Sequence, residues 1–396
     1  MPMPTLKITA SSLVNALGRG KAEVWQKISS GQSGLRQADY AGLEFATWLG
    51  QVEAAASYPL EPGLAKFNCR NNRLAKLALD SDDFREAVEV AKQKYSASRI
   101  GVFMGTSTSG IEETEQAYRH MDTSSNCLPP DFDMLHTHNI ASVLAYTQAS
   151  LGLNGVGLTI STACSSSAKV FATAHRHILA GYCDAAVVGG VDSLCLTTLY
   201  GFHSLQLVSP EPCRPWDAAR QGINIGEAAG YALLEKDSNA SLAYTLQGYG
   251  ESSDAYHMST PHPQGDGAVL AMQQALSRAG LNAEDIGYIN LHGTATPSND
   301  SAEDAAIARL FHKAVACSST KGFTGHTLGA AGITEILFCC LALESGLLPA
   351  NLNWQQRDPA FKTEVITGNL HQSIRYAKSN SFGFGGTNCS VIVGHA

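Results

Sequence analysis

The feature that most constrains the fold is a repeat, because the second half of the chain follows the outline of the first. Residues 286–294 echo residues 100–106, a short apolar strand that ends in glycine and threonine. Residues 315–329, with the helix predicted after them, echo the strand, turn and helix around Cys164. Duplicated strand and helix units pack as layered α/β structures. We therefore predict an α/β chain built from two duplicated halves.

The composition allows these two halves to share a large buried core. The chain has 396 residues, of which 44% are hydrophobic and 16% are charged, and it contains no charge block or disordered tail. We place the N-terminal half at residues 1–240 and the C-terminal half at residues 241–396. The formal net charge of −8 argues against nucleic-acid binding, which requires clustered Lys and Arg. An acidic partner protein could still dock on a local basic patch.

The cysteine pattern and the absence of a signal peptide predict a cytoplasmic protein with free thiols, because the ten cysteines show no CxxC or zinc-ribbon spacing. The most apolar run, residues 333–343, contains Glu335 and is shorter than the ~20 residues that span a bilayer, so no membrane span is expected. His136 and His138 could suggest a metal. Residues i and i+2 share a face only on a strand, however, and no third ligand is near, so no metal site is predicted.

Cys164 lies where the hydrophobic period changes. Residues 158–162 alternate apolar and hydroxyl side chains as a buried strand does, and the period from Cys164 onward is that of a helix. Three serines follow in the first helical turn, where the helix dipole favours a thiolate over a thiol. Cysteine is usually a small buried hydrophobe. A strand-to-helix turn is nevertheless a suitable place for a nucleophile, which singles out Cys164.

Two histidines occupy turns in the second half. His292 directly follows the apolar residues 286–291, and His326 lies in a glycine-rich turn at residues 321–332. Ligands of parallel α/β sheets gather beyond the carboxyl ends of the strands, and the repeat would bring these ends into one crevice with Cys164. A lone histidine is more often a structural residue. Two histidines opposite a cysteine at a turn predict a catalytic site.

Four motifs resemble, in order, those of elongating β-ketoacyl-[acyl-carrier-protein] synthases. They are Ser161-Thr-Ala-Cys-Ser-Ser, His292-Gly-Thr-Ala-Thr-Pro, Gly-His-Thr-Leu-Gly-Ala-Ala-Gly at residues 325–332, and Asn380-Ser-Phe-Gly-Phe-Gly-Gly-Thr-Asn388. The resemblance implies the thiolase-like αβαβα five-layered fold of two duplicated halves, working as a dimer. It also implies decarboxylative Claisen condensation of an acyl-enzyme thioester with malonyl-[acyl-carrier-protein], in fatty-acid or polyene and polyketide elongation.

The resemblance assigns the central roles by motif. Cys164 would take the acyl group from an acyl-carrier thioester. His292 and His326 would hydrogen-bond the thioester carbonyl of the malonyl carrier and stabilise the enolate left by decarboxylation. The backbone N–H groups of Cys164 and Phe384 would form an oxyanion hole, and Phe384 would also be the gate over the acyl pocket.

The resemblance also assigns supporting roles. Lys321 and Glu335 match a buried ion pair beside the second histidine. Thr294 and Thr296 match the residues that bind the phosphopantetheine arm, and Phe382 is placed with them as a substrate contact. No bound cofactor is implied, since the substrates are carried on the phosphopantetheine of an acyl carrier protein.

Several positions depart from the family pattern. Asn224 stands where a hydrophobic residue is usual, and Thr108 stands where relatives carry a larger apolar residue at the end of the acyl pocket. His136, His138 and Asn139 make the matching dimer segment polar. We expect either an acyl pocket altered for a longer, unsaturated or aryl-capped chain, with Thr108 facing inward, or a different dimer partner, including a ketosynthase-like subunit without the cysteine.

The resemblance also separates related classes by their catalytic residues. Elongating synthases carry a Cys-His-His set, as this chain does, whereas thiolases carry Cys-His-Cys and initiating and chalcone-type enzymes carry Cys-His-Asn. Two alternatives remain beside the main prediction. One is a thiolase-fold acyltransferase or thioesterase that loads Cys164 without condensation. The other is a non-catalytic chain-length subunit, which the intact Cys164 disfavours.

Overall fold

The structure is a computed structural model that describes residues 2–236 and 244–395. The predicted boundary between the halves, at residues 240 and 241, therefore lies outside the described residues. The strands are β1 (Leu6–Asn15), β2 (Gly18–Arg19), β3 (Arg36–Gln37), β4 (Trp48–Gly50), β5 (Ile100–Gly105), β6 (Gly157–Ile160), β7 (Ala185–Asp192), β8 (Ile225–Gly226), β9 (Ala228–Glu235), β10 (Tyr244–Ser253), β11 (Tyr288–Asn290), β12 (Ala316–Ser318), β13 (Leu347–Leu348), β14 (Leu370–His371), β15 (Tyr376–Gly383) and β16 (Thr387–His395). The α-helices are α1 (Lys21–Ser29), α2 (Arg70–Leu79), α3 (Phe84–Tyr95), α4 (Ile111–Arg119), α5 (Ser142–Leu151), α6 (Ser166–Leu179), α7 (Leu196–Ser204), α8 (Asp266–Ala279), α9 (Pro297–Leu310), α10 (Lys321–Thr324) and α11 (Ala331–Ser345).

The order of the main strands is symmetric about the middle of the sheet. The path runs β12-β11-β15-β16-β10-β1-β9-β7-β5-β6. In the first half, β5 is parallel to β6 and β7, and β9 is antiparallel to β7 and β1. In the second half, β11 is parallel to β12 and β15, and β16 is antiparallel to β15 and β10. The matching order and directions confirm the predicted duplication, with β5 equivalent to β11 and β6 to β12.

Two helices lie between the half-sheets. Residues of α6 and α11 share one buried cluster with Phe103 and Val188 of the first half and with Tyr288 and Val391 of the second. Helices α2, α3 and α5 cover the outer face of the first half-sheet. Helices α8 and α9 cover the outer face of the second. This is the predicted αβαβα arrangement of five layers.

The two central helices approach each other closely through small residues. A Cβ atom added to Gly332 of α11 would lie 2.4 Å from the backbone nitrogen of Ala168 in α6. The Ile333 N–H donates to Oγ of Ser167 at 2.9 Å. Because α6 begins just after Cys164 and α11 begins just after the His326 turn, this contact brings the two turns together.

Helix α11 is longer than the apolar run noted in the sequence at residues 333–343. With the short helical turn before it, residues Leu328–Ser345 form the one helical stretch of the described residues that is long and apolar enough to cross a membrane, with mean hydropathy 1.6. However, 89% of this stretch is buried inside the protein. That burial is characteristic of a core helix.

Strand β6 differs from its prediction. It lies at one end of the sheet path, and its Leu158 is 39% exposed. The prediction of a buried strand at residues 158–162 is therefore wrong. The alternating pattern is the same for a central strand and for an edge strand, so it does not reveal that β6 has a neighbouring strand on one side only.

Residues 209–224 form a loop that ends where β8 begins. Asn224, whose polar side chain was unexpected, holds this loop from inside. Its Oδ1 accepts from the Cys213 N–H at 2.6 Å, and its Nδ2 donates to the carbonyl of Ser209 at 3.1 Å. The amide therefore satisfies backbone groups of the loop.

Candidate active site

Cys164 lies in a tight turn between β6 and α6, as the sequence predicts. Ala163, just before it, has φ of +51°, a left-handed conformation that costs a non-glycine residue about 1–2 kcal/mol. Oγ of Ser166 accepts from the Thr162 N–H at 2.9 Å, and Oγ of Ser165 donates to the Thr162 carbonyl at 2.9 Å. These serine hydroxyls hold the strained turn together and so fix the place of the sulfur.

The structure brings Cys164, His292 and His326 together. Sγ of Cys164 lies 3.0 Å from Nε2 of His326. The two imidazole rings lie 5.4 Å apart at 85°, and one polar atom from each of the three side chains lies within 4.8 Å of the others. All three residues are buried. The two halves thus supply one compact cluster.

Hydrogen bonds assign the proton on each imidazole. Nδ1 of His326 accepts from the Leu328 N–H at 3.1 Å, so its proton lies on Nε2. Nδ1 of His292 lies 3.4 Å from Nζ of Lys321, which can only donate. Both rings therefore present an N–H at Nε2, and that of His326 points at the sulfur.

The electrostatics keep the three groups uncharged at rest. Burial and the Lys321 ammonium hold the pKa of His292 and of His326 well below the usual range. Burial raises the pKa of Cys164 to about 11, although Lys321 and the N–H groups of Phe384 and Cys164 lower it. The sequence-based prediction of a thiolate is therefore wrong for the resting site, because burial outweighs the helix terminus.

Lys321 and Glu335 form a buried ion pair next to His292. Nζ of Lys321 donates to Oε1 of Glu335 at 2.5 Å and to the His292 carbonyl at 2.5 Å, in addition to its contact with Nδ1 of His292. Burial raises the pKa of Glu335 to about 7, against the lowering effect of Lys321. The pair thus supports the first histidine, whereas the sequence placed it beside the second.

Two buried carboxylates that the sequence analysis missed hold the histidine turns. Glu303 on α9 accepts from the N–H groups of His292 at 2.9 Å and Gly293 at 2.8 Å. Asp192, the last residue of β7, accepts from the N–H groups of Ser107 and Gly329. A carboxylate at the end of an apolar strand was the available signal for Asp192.

The gate loop is the turn of the β15–β16 hairpin. The Phe384 ring lies 5.4 Å from the Phe202 ring, and Gly385 has φ of +79°. The Gly385 N–H donates to the Met258 carbonyl at 2.7 Å. The tip of the hairpin is thus held to the segment around Met258 by a backbone hydrogen bond.

The first of two adjoining cavities reaches the three polar side chains. Its lining includes Cys164, His292, Thr294, Thr296, His326, Phe382 and Phe384. Within it, the hydroxyls of Thr294 and Thr296 are 2.9 Å apart. The predicted substrate contacts therefore share this cavity, with the exception of Thr108.

A second cavity, of 320 Å³, adjoins the first at the aromatic pair of Phe202 and Phe384. Its lining is Ser107, Ala163, Cys164, Thr198, Gly201, Phe202, Leu205, Leu328 and Phe384. Thr108 is absent from this lining. Its hydroxyl donates to Oδ1 of Asp192 at 2.9 Å and accepts from the Ser193 N–H at 3.2 Å. The prediction that Thr108 faces into the acyl pocket is therefore wrong.

The metal-binding potential of the site is limited by its hydrogen bonds. Among the described residues, the group of side chains close enough to share an ion is Cys164, His292 and His326. The donors at both Nδ1 atoms keep the protons on Nε2, where a metal would have to bind. His136 and His138 instead contact Asp133 and Thr114.

A buried thiol that faces two neutral imidazoles, at the junction of two duplicated α/β halves, defines an acyl-transferring enzyme of the thiolase-like fold. The family comparison agrees with this class. The model described as Beta-ketoacyl synthase, N-terminal domain, matches residues 4–240, and Beta-ketoacyl synthase, C-terminal domain, matches residues 244–355. The chain belongs to the beta-ketoacyl synthase family.

Individual relatives resemble the chain over nearly its full length. It is 32% identical to 3-oxoacyl-[acyl-carrier-protein] synthase 2 of Vibrio cholerae, with 97% of each chain covered. It is 33% identical to the protein of the same name from Rhizobium meliloti, with 99% of each covered. Among solved structures, the ketosynthase ApeO in complex with its chain length factor ApeC, from Xenorhabdus doucetiae, has a TM-score of 0.91 at 37% identity, covering 99% of this chain and 98% of that one.

Proposed function

We propose that the chain is a 3-oxoacyl-[acyl-carrier-protein] synthase that joins an acyl group on Cys164 to a malonyl unit with loss of CO2. The observation that carries the proposal is the pair of Nε2–H donors on His292 and His326 beside the Cys164 sulfur. Two donors at one cavity wall suit a carbonyl oxygen on which negative charge develops.

In the first step, the sulfur of Cys164 attacks the acyl-carrier thioester. A new S–C bond forms, the carrier thioester bond breaks, and the thiol proton passes to the departing pantetheine sulfur. The N–H groups of Cys164 and Phe384 lower the pKa of the Cys164 thiol, which places both near the sulfur, so we expect the oxygen of the tetrahedral intermediate to lie near both. Each such donor contributes about 3 kcal/mol in comparable sites.

In the second step, the malonyl thioester carbonyl accepts hydrogen bonds from His292 and His326. Its C–C bond to the carboxylate breaks, CO2 leaves, and the enolate oxygen keeps both hydrogen bonds. The enolate carbon then attacks the acyl carbonyl, and Cys164 departs as a thiolate that takes up one proton. Neutral imidazoles suit this step because each donates a hydrogen bond without having to lose a proton.

The cavities suit substrates carried on the phosphopantetheine of an acyl carrier protein. The first cavity, with Thr294 and Thr296, would hold the phosphopantetheine arm, and the second, apolar cavity would hold the acyl chain. The aromatic pair Phe202 and Phe384 borders both cavities, together with Cys164. An acyl chain on Cys164 would therefore displace the Phe384 ring or pass beside it.

We also propose that a second thiolase-fold subunit completes the enzyme, as a second copy or as a ketosynthase-like chain-length subunit. The edge strand β6 and the exposed Leu205 of the second cavity leave an apolar surface uncovered. The similar ketosynthase ApeO of Xenorhabdus doucetiae forms a complex with such a partner, its chain length factor ApeC. The free cysteines favour a cytoplasmic location for this assembly.

Reconstitution tests the proposal. The chain is incubated with malonyl-carrier protein and a panel of acyl-carrier primers, alone and with its copurified partner, and the carrier-bound products are identified by mass spectrometry. We expect 3-oxoacyl products two carbons longer than the primer, which Cys164→Ala abolishes. Acylated Cys164 without CO2 release would instead identify an acyltransferase or thioesterase.

A further inference from the structure

We propose that Asp192 is a positioning residue that sets the tautomer and the location of His326 from the opposite half of the molecule. Asp192 ends β7 in the N-terminal half and is fully buried. Its carboxylate faces the turn just before α11 in the C-terminal half. It touches none of Cys164, His292 and His326, so its influence on the site must pass through the backbone that it binds.

The hydrogen bonds of Asp192 join the two halves. Oδ1 accepts from the N–H groups of Ser107 at 2.8 Å and Thr108 at 2.9 Å, and from the hydroxyls of Thr106 and Thr108. Oδ2 accepts from the Ser107 hydroxyl and from the Gly329 N–H at 2.5 Å. Every partner is a neutral donor, so the ionised carboxylate is the form that satisfies all of them. The turn after β5 and the turn at Gly329 thus share one anchor.

The Gly329 contact controls the donor to His326. Leu328, the preceding residue, has φ of +53°, a conformation that leucine holds only when its neighbours fix it. In this conformation the Leu328 N–H points at Nδ1 of His326. A Cβ on Gly329 would lie 2.7 Å from Oδ2 of Asp192, so only glycine permits this approach. The carboxylate therefore fixes the peptide group that follows Leu328, and through it the turn in which the Leu328 N–H keeps the His326 proton on Nε2.

The consequence for chemistry rests on the proposed function. If the turn relaxes, Nδ1 of His326 loses its donor and can take the proton, which leaves a bare Nε2 facing Cys164. A bare Nε2 cannot donate to a thioester carbonyl. Loss of the Asp192 carboxylate would then lower the condensation rate, although Asp192 never meets the substrate.

The test is the tautomer itself, measured on the full chain with ¹⁵N-labelled histidine. We compare the ring ¹⁵N signals of His326, assigned with His326→Asn, in the natural protein and in Asp192→Asn. We expect the Nε2–H pattern in the natural protein and a mixture or an inversion of the two ring signals in Asp192→Asn, while the His292 signals stay in place. CO2 release from malonyl-carrier protein should fall by roughly tenfold or more.

Asp217→Asn is the matched control. Asp217 is also fully buried, and it accepts from the N–H groups of Gln355 and Gln356 at 2.6 and 2.8 Å. The Asp217→Asn variant should lose stability without any change in the ring ¹⁵N signals of His326. If Asp192→Asn does not fold, Ser107→Ala removes one donor to Oδ2 and should give a smaller change of the same kind.

Unchanged His326 signals in folded Asp192→Asn, or in Ser107→Ala where that is the variant that folds, would overturn the inference. A change of the same size in Asp217→Asn would also overturn it, since the effect would then be general loosening. The signals do not depend on turnover. A chain that shows the tautomer change but never forms a 3-oxoacyl product would refute the proposed function and leave the positioning role intact.

Discussion

Replacing Lys321 with methionine removes a buried ammonium that three acceptors share: Oε1 of Glu335, and the carbonyl and Nδ1 of His292. The His292 acceptors would be left without this donor at every pH, at a cost of about 1–3 kcal/mol. The cost from Glu335 depends on pH. Its pKa is raised from 4.5 to about 7 in the natural protein, so the folded state binds an additional proton between these values.

The direction of the pH dependence follows from the linkage between proton binding and folding. For a raised carboxyl pKa, the stabilising contribution is complete below pH 4.5, declines as the pH rises towards 7, and is constant above that. Without Lys321 the pKa rises further, so the decline continues above pH 7 at about 1.4 kcal/mol per pH unit. We therefore expect Lys321→Met to be destabilised by about 1–3 kcal/mol at pH 6, and by progressively more at pH 8 and 8.5.

Urea unfolding, followed by circular dichroism at several pH values, measures this cost. The matched control is Lys321→Met/Glu335→Gln, which has no carboxyl group left to titrate and should lack the additional loss above pH 7. Equal destabilisation of the single variant at pH 6 and pH 8.5 would refute the account of the buried pair. The same pH slope in the double variant would show that another group is responsible.

Three further perturbations test the thiol, the helix contact and the sheet edge. The pKa of Cys164 is about 11, so alkylation of Cys164 by iodoacetamide in a Cys127→Ser background should accelerate about tenfold per pH unit from pH 7 to 9. A plateau of the alkylation rate in this range would contradict the raised pKa. Gly332→Ala should lower the free energy of unfolding by about 3 kcal/mol or more, because the added Cβ meets the α6 backbone. The control Gly368→Ala, which has open space around it, should change the free energy of unfolding by less than about 0.5 kcal/mol. Equal effects of the two variants would exclude a close helix crossing. Leu158→Arg should lower the solution mass by weakening subunit association at β6, and an unchanged mass would place the partner elsewhere.

The duplication and the Cys-His-His cluster could be predicted from the sequence because both depend on patterns within short stretches of the chain. The repeated strand-turn-helix outline survives in the apolar spacing, and Cys164, His292 and His326 each follow an element that the spacing reveals. Once the two halves are equivalent, their turns must meet at one place. The tight turn around His326 could also be predicted, because such a turn needs the glycines that flank this residue in the sequence.

The features that the sequence did not predict depend on distant partners. The hydrogen bond from Gly329 to Asp192 spans 137 residues, and no local pattern records which carboxylate a turn will meet. Thr108 was expected in the acyl pocket because its position, and not its hydrogen-bond partner, was known. The protonated resting state of Cys164 has the same origin, because the helix terminus is a local feature whereas the burial that outweighs it depends on residues distant in the sequence, among them His326.

The most direct test of the central claim is a single-turnover experiment with Cys164 acylated in advance. The acyl-enzyme is mixed with ¹³C-labelled malonyl-carrier protein, and the loss of acyl-Cys164, the CO2 released and the 3-oxoacyl-carrier formed are quantified together. The account predicts equal amounts of all three, with condensation lost in His292→Ala and Cys164 still acylated in that variant. Release of the acyl group as a free acid, or CO2 formation unconnected to loss of acyl-Cys164, would contradict it.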